Sequence, residues 1–266
     1  MKHFNGIILE PSTVCNLRCT GCVHTTTFKR RKEVMPVNLA VKCLKEIARC
    51  GFDKVYLYGI GEPLIYPDII DIIEVAYNLG LTTIISTNGN YSLPNKKIVE
   101  SGLSKIIFSF DGFTQEIYET YRVGGNVELL KRNLVEIAEL AKGRKPIVEA
   151  QFIAFKWNIM EMEAVEKFIK EIPDIIVNIK NPLHNSAKGH DAKKTLGKSP
   201  NRFAFCIQPM ILVNGEVVMC CRDHNGKYPL GNIINQSLED ILIDHPMRYD
   251  ERFPLCVKQC PHLKGE

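Results

Sequence analysis

Cys15-Asn16-Leu17-Arg18-Cys19-Thr20-Gly21-Cys22 is the stretch on which the reading of this chain turns. Its three thiols, spaced C-x3-C-x2-C, follow a short apolar run, Ile7 to Leu9, that has the character of a first strand. Thiolates are the ligands that iron-sulfur clusters take, and three of them can each hold one corner of a cubic cluster. One iron is then left open, which is what a small chelating molecule needs if it is to be bound and reduced there. A zinc site is the competing use of closely spaced cysteines.

Outward from this loop, short β-rich runs alternate with longer segments of helical period. The strand candidates are Ile7 to Glu10, Lys54 to Tyr58, Thr82 to Ser86, Lys105 to Phe110, Ile147 to Phe155 and Ile175 to Ile179. Helical candidates are Asn38 to Cys50, Asp68 to Leu79, Asn95 to Ser101, Val127 to Ala141 and Ile159 to Ile172. Parallel strands need a crossover, usually a helix, so the alternation predicts a mostly parallel α/β sheet. Periodicity does not say whether that sheet closes. The unusual loops are the cysteine loop, Gly59 to Pro63, Thr87-Asn88-Gly89 and Asp111-Gly112. All follow the C-terminal ends of strands, which is where the chemistry would lie if the sheet closes into an α/β barrel.

The three-cysteine loop together with Tyr58-Gly59-Ile60-Gly61-Glu62-Pro63 resembles the radical S-adenosylmethionine (radical SAM) superfamily. One departure is Gly21 before the third cysteine, where the family often has an aromatic residue. The resemblance implies a partial (β/α)6 TIM-like barrel, open on one side, and a 4Fe-4S cluster on Cys15, Cys19 and Cys22. It implies S-adenosylmethionine chelated to the open iron and cleaved by one electron to a 5′-deoxyadenosyl radical. The backbone around Gly59, Gly61 and Glu62 matches positions that meet the methionine amino group, glycine permitting close approach. Ser109 and Asp111 match positions near the ribose and carboxylate. Arg122 matches one where a guanidinium pairs with the methionine carboxylate. Surface charge is the alternative for Asp111 and Arg122.

Near the C-terminus lie Cys206, Cys220, Cys221, Cys256 and Cys260. With Gly215, Gly231-Asn232-Ile233 and Ser237-Leu238-Glu239 between them, they resemble the shortened "twitch" form of the SPASM extension. That form carries one auxiliary 4Fe-4S cluster. The matched ligands are Cys206, Cys220, Cys256 and Cys260, with Cys221 the alternative to Cys220; a four-thiolate zinc site is the competing reading. Ile211 to Met219, with Asn214-Gly215 at its turn, predicts a hairpin. A short helix from Leu238 to about His245 follows. So small a segment cannot bury a good core alone, and a metal staple is expected. The expected division is 1–182 for the core domain, 183–203 for a linker or substrate-facing loop, and 204–266 for the auxiliary domain.

The 266 residues, 45% hydrophobic and 24% charged, are ordinary for a soluble globular chain, and the formal charge of +4 is far from the basic stripe of a nucleic-acid binder. No uncharged apolar stretch approaches 18 residues and Met1 to Asn5 lacks a signal-peptide core, so a cytoplasmic protein away from membranes is expected. Ten cysteines in such a chain point to metal or redox sites. Cys43 and Cys50, on one helical candidate, read as small buried hydrophobes. His24 reads as packing beside the cluster, and Phe28-Lys29-Arg30-Arg31-Lys32 as a solvated basic loop or a phosphate or acidic-peptide site. His184, His190 and Asp191 are candidate proton acceptors in the linker.

Four thiolates on the auxiliary cluster would leave no open iron, so its natural role is to accept an electron. The expected reaction is therefore an oxidation, with dehydrogenation of a small alcohol or sugar-like molecule first and modification of a peptide second. An external one-electron reductant such as flavodoxin or ferredoxin is expected. The reading from another class is a non-catalytic electron carrier or a zinc-stapled binding protein, which needs neither Glu62 nor the strand-end loops.

Overall fold

The computed structural model describes residues 5–92, 94–180 and 208–243. Six strands come first: β1 (Ile7–Leu9), β2 (Lys54–Leu57), β3 (Thr82–Thr87), β4 (Lys105–Ser109), β5 (Ile147–Ile153) and β6 (Ile175–Lys180). β7 (Met210–Ile211), β8 (Glu216–Val218) and β9 (Pro229–Asn232) follow. The helices are α1 (Val23–Thr26), α2 (Val37–Arg49), α3 (Ile69–Asn78), α4 (Asn95–Glu100), α5 (Gln115–Tyr121), α6 (Val127–Leu140), α7 (Met162–Lys170) and α8 (Leu238–Leu242). Together the strands make one sheet in the order β6-β5-β4-β3-β2-β1-β7-β8-β9, parallel from β6 through β7 and antiparallel beyond.

Alternation along the strands separates two faces. Leu9, Leu57, Ile85, Phe108 and Phe152 point outward into the main core beneath the helices. Ile8, Tyr56 and Ile84 point inward, joined by Met210, Leu212 and Val218. The result is the partial α/β barrel that the strand-helix alternation and the resemblance implied together. On α2 the apolar positions Ala40, Cys43, Leu44 and Ile47 recur at helical spacing and are all fully buried. Each of the two largest contributes about 1.5–3 kcal/mol by leaving water. Cys43 is the buried hydrophobe expected, and burial pushes its thiol up to about 12.

The hairpin forms where Asn214-Gly215 predicts it, with Gly215 at φ +83°, a conformation open to glycine. Its packing is new information. β7 lies parallel beside β1, with Ile8 opposite Met210 and Leu9 opposite Ile211. Ile211, Val213, Val217, Ile233, Leu238 and Ile241 share the barrel's own core. The described part of the C-terminal segment thus obtains its core by extending the sheet. Three elements were not foreseen. α1 and α5 are too short to show a period, although Thr114 caps α5 by accepting from the Ile117 amide. β9 carries Pro229 and Gly231, which argue against a strand except at a sheet edge, and there it lies, paired to β8. The linker 183–203, with His184, His190 and Asp191, and the helix end toward His245 lie outside the described residues, as do Cys206, Cys256 and Cys260. Among the described residues no helix is long and apolar enough to cross a membrane.

Candidate cluster and cofactor site

The cysteine loop leaves β1 at the C-terminal mouth of the barrel and is fastened to the end of α5. The Arg18 amide donates to the Val123 carbonyl and the Thr20 amide to that of Tyr121, each at 3.0 Å. The Cys22 carbonyl accepts from Thr25 and Thr26 as α1 begins. Leu17 and Cys19 are buried with Tyr121 and Phe155, and Cys15, Cys22, Ile153 and Trp157 pack against them. All three thiols therefore share one apolar wall, in which the Phe155 and Trp157 rings stack at 5.2 Å. Burial pushes the Cys15 thiol up to about 11, with Glu62 and the other two thiols adding to the rise. Burial raises Cys19 as well, against the pull of Arg122. In the metal-free state Cys15 and Cys19 thus keep their protons at neutral pH, and a metal must displace them.

Two sulfurs also receive hydrogen-bond donors: Asn88 Nδ2 lies 4.0 Å from Cys15 Sγ and Arg122 Nη1 lies 3.7 Å from Cys19 Sγ. Among the described residues no three His, Cys, Asp or Glu side chains gather closely enough to hold one metal ion. A zinc ion requires that convergence, with each sulfur about 2.3 Å from one centre. A cubane takes each thiolate on a different iron. The donor chemistry, the apolar wall and the N–H groups aimed at sulfur fit a thiolate-held iron-sulfur cluster.

The Gly59 to Pro63 turn is pressed against the chain entering this loop. A Cβ on Gly61 would lie 2.5 Å from the Val14 carbonyl oxygen, and one on Gly59 would lie 2.6 Å from Glu10 Cγ. Both glycines therefore permit close approach of the protein to itself, and the Glu62 amide donates to the Val14 carbonyl at 2.9 Å. The Glu62 carboxylate turns inward. It accepts from Thr87 Oγ1 at 2.7 Å, the Asn88 amide at 2.7 Å and the Leu64 amide at 3.1 Å. Asn88 in turn donates to Asn16 Oδ1 at 2.9 Å, and Asn16 Nδ2 donates to the Asn90 carbonyl. One buried carboxylate thus ties the loops after β2 and β3 to the cysteine loop.

Asp111 and Arg122 meet beside Cys19. Asp111 is fully buried and Arg122 keeps 13% of its side chain exposed, which removes the surface-charge alternative for both. Asp111 Oδ2 accepts from Arg122 Nε at 2.7 Å and from Nη2, while Oδ1 accepts from the Ile153 amide at 2.8 Å. Ser109 stands two residues before Asp111 and is buried. His24 Nε2 lies 3.1 Å from the Thr13 carbonyl oxygen, and its ring stacks on Phe28.

Several residues of this site were not singled out in the sequence. Arg30, from the basic run, points inward and holds Glu10 through Nη2 at 2.7 and 2.9 Å, while its Nε donates to the His224 carbonyl. Glu10 also accepts from the Ile60 amide at 3.3 Å and the Val213 amide at 3.1 Å, so the pair links β1, the Gly59 turn and the C-terminal hairpin. Asn158 Nδ2 donates to the carbonyls of Asp111 and Ile153, and Glu161 accepts from the Phe113 and Thr114 amides. Their i, i+3 spacing before α7 was the available signal. Toward the C-terminus Cys220 is half-buried and precedes a single helical turn, Cys221–Asp223.

The description "Radical SAM superfamily" matches residues 9–178, which span the barrel from β1 into β6, and "Iron-sulfur cluster-binding domain" of the SPASM type matches residues 205–261. The chain belongs to the radical SAM superfamily. This radical SAM protein is 26% identical over 192 residues to a probable GTP 3′,8-cyclase of Methanococcus maripaludis, an alignment covering 71% of this chain and 63% of that protein. The chain therefore spans less than two thirds of that relative. Among solved structures it resembles Streptococcus suis SuiB bound to S-adenosylmethionine, with TM-score 0.70 and 17% identity over 98% of this chain and 71% of that one. It also resembles BtrN in complex with AdoMet and 2-DOIA, with TM-score 0.59 and 18% identity over 91% and 82%. At these identities the structural likeness establishes the radical SAM fold.

Proposed function

We propose that this chain is an oxidative radical SAM enzyme acting on a small polar molecule. The observation that carries the reading is the three-thiol loop at the C-terminal mouth of the barrel, walled by apolar side chains and flanked by the Gly59–Glu62 turn and the Asp111–Arg122 pair. Cys15, Cys19 and Cys22 would hold a 4Fe-4S cluster. When loaded, it supplies the electron that splits S-adenosylmethionine and so yields a radical able to take hydrogen from carbon. The backbone of Gly59, Gly61 and Glu62 would meet the methionine amino group. Ser109 and Asp111 would border the ribose and carboxylate. Two of Arg122's nitrogens are committed to Asp111, and Nη1, the nitrogen beside Cys19, is the one available to a methionine carboxylate. The apolar wall of Leu17, Tyr121, Phe155 and Trp157 excludes water from the reacting carbon.

Cys206, Cys256, Cys260 and either Cys220 or Cys221 would hold an auxiliary 4Fe-4S cluster that takes the electron left on the substrate. A polar substrate is supported by the inner barrel face, which carries Gln151, Asn178 and Lys180 on its last two strands. It is supported also by the likeness to BtrN, whose structure holds 2-DOIA. Anaerobic purification tests the reading. About eight irons per chain are expected for two such clusters, with cleavage of S-adenosylmethionine on reduction. Replacing Cys15, Cys19 and Cys22 together by Ala should leave roughly four irons and abolish cleavage. Undiminished cleavage by that variant refutes the assignment.

A further inference from the structure

Three buried carboxylates of the barrel are each held by a cation. Glu10 is held by Arg30, Asp111 by Arg122, and Glu149 by Lys105, whose Nζ lies 2.5 Å from Glu149 Oε2. Glu149 also accepts from Asn178 Nδ2 at 2.7 Å. Glu62 is filled by three neutral donors. Among the described residues Lys180 has no carboxylate within ion-pair distance: its hydrogen bond there goes to a neutral group, Gln151 Oε1, at 2.6 Å.

Its position gives this charge a direction. Gln151 and Asn178 are register partners on β5 and β6, and Ile153 and Lys180 are partners at the top of the same two strands. Glu149, Gln151 and Ile153 alternate with Val148, Ala150 and Phe152, which face the outer core, so the first three face into the barrel. Lys180 therefore sits on the inner face, exposed at the mouth, level with the Ile153 side chain that packs against the cysteine wall. Desolvation by the barrel wall lowers the pKa of its ammonium, Lys105 adds to the lowering, and Glu149 opposes it. A negative group bound beside Lys180 would offset the cost of desolvating its ammonium, with the Gln151 amide there to orient it.

We propose that Lys180 and Gln151 form an anchoring site for an anionic group, a phosphate ester or a carboxylate, carried by the substrate of this enzyme. The inference rests on the function proposed above and narrows its substrate to an anionic polar molecule. The negative group is held at the end of β6, so the carbon to be oxidised can extend toward the cysteine wall.

Reductive methylation of lysines in the full anaerobic protein, followed by peptide mass spectrometry, tests this without a variant. The methylation rate of Lys180 is compared with that of Lys96, an exposed residue on α4 far along the chain from the site. The rates are measured with sodium phosphate, with sodium formate and with sodium chloride at equal ionic strength. Saturating phosphate or formate should slow Lys180 relative to Lys96 by roughly tenfold, as expected when about nine sites in ten are filled. Protection by phosphate alone identifies a phosphate ester, protection by formate alone a carboxylate, and protection by both a site for either. No protection, or protection matched by chloride, overturns the proposal. Cleavage of S-adenosylmethionine measured in the same preparation reports separately on the enzyme assignment.

Discussion

Replacing Arg122 by Met asks how much the buried pair beside the thiols is worth. The variant leaves Asp111, fully buried, without Arg122 Nε at 2.7 Å and without Nη2, and with the Ile153 amide as its remaining donor among the contacts described. Removing one partner of a buried ion pair costs about 3–5 kcal/mol, because the other charge stays out of water. The surviving Ile153 bond and the partial exposure of Arg122 place the expected loss near the lower end, about 3 kcal/mol. Asp111→Asn in the same chain keeps an oxygen for the Ile153 amide and removes the stranded charge. The double variant should therefore recover most of the loss, a coupling of about 1.5–3 kcal/mol. The assay is urea unfolding of the cluster-free protein followed by circular dichroism, with the slope checked for constancy across the four proteins. An Arg122→Met loss below about 1 kcal/mol, the range of exposed pairs, would refute the reasoning. So would two single losses that add within about 0.5 kcal/mol.

Cluster loading should depend on pH in a defined direction. Burial holds the Cys15 thiol up at about 11 from an ordinary 9.0, so iron must displace its proton; iron bound at a limiting concentration should rise between about pH 7 and 8.5, and a flat profile would count against thiolate ligation. For the cluster-free protein the sign is opposite. Between the unfolded value near 9.0 and the folded value of about 11 the native state binds more protons than the unfolded chain, so the Cys15 contribution to stability falls as pH rises through that window, which urea midpoints will show. Arg30→Met should strand Glu10 and free the Ile60 and Val213 amides for faster exchange. Hydrogen exchange localised by mass spectrometry should quicken in residues 210–218, and unchanged protection there would remove the linking role given to this pair.

What was legible in the sequence follows from how local each signal is. The alternation of Val55 and Leu57 with Tyr56, or the i, i+3, i+4 spacing of Ala40, Cys43 and Leu44, is a property of a few neighbouring residues. The strands and helices built on such patterns appear within a residue or two of their expected bounds, the longest strand ending two residues early, and α7 starting three residues late behind a short turn of 3-10 helix. Asn214-Gly215 encodes its turn in two residues. Arg30 shows the opposite case. Within Phe28 to Lys32 it cannot be told from its neighbours, and only the arrival of Glu10 from β1 and the His224 carbonyl from beyond the hairpin turns it inward. Pro229 and Gly231 likewise argue against a strand until the edge of an existing sheet is available to them.

The same distinction explains why Gly59 to Pro63 carries so much of the site. Gly61 has no side chain because the Ser12 and Val14 carbonyls occupy the space a Cβ would need. Glu62, next to it, is drawn in to close off the Thr87 hydroxyl and the Asn88 and Leu64 amides. The turn is therefore fixed from both sides before any cofactor is considered: its backbone is pressed on the entrance to the cysteine loop, and its carboxylate is locked to the loop after β3. Asn88 passes that constraint to Asn16 and toward Cys15 Sγ. A group bound between the thiols and this turn would meet backbone atoms that cannot retreat, since moving them breaks buried hydrogen bonds at about 1–3 kcal/mol for each group left unsatisfied. Rigidity of that kind lets a cofactor's reacting bond be held in one place, and it arises here from residues that need not touch the cofactor.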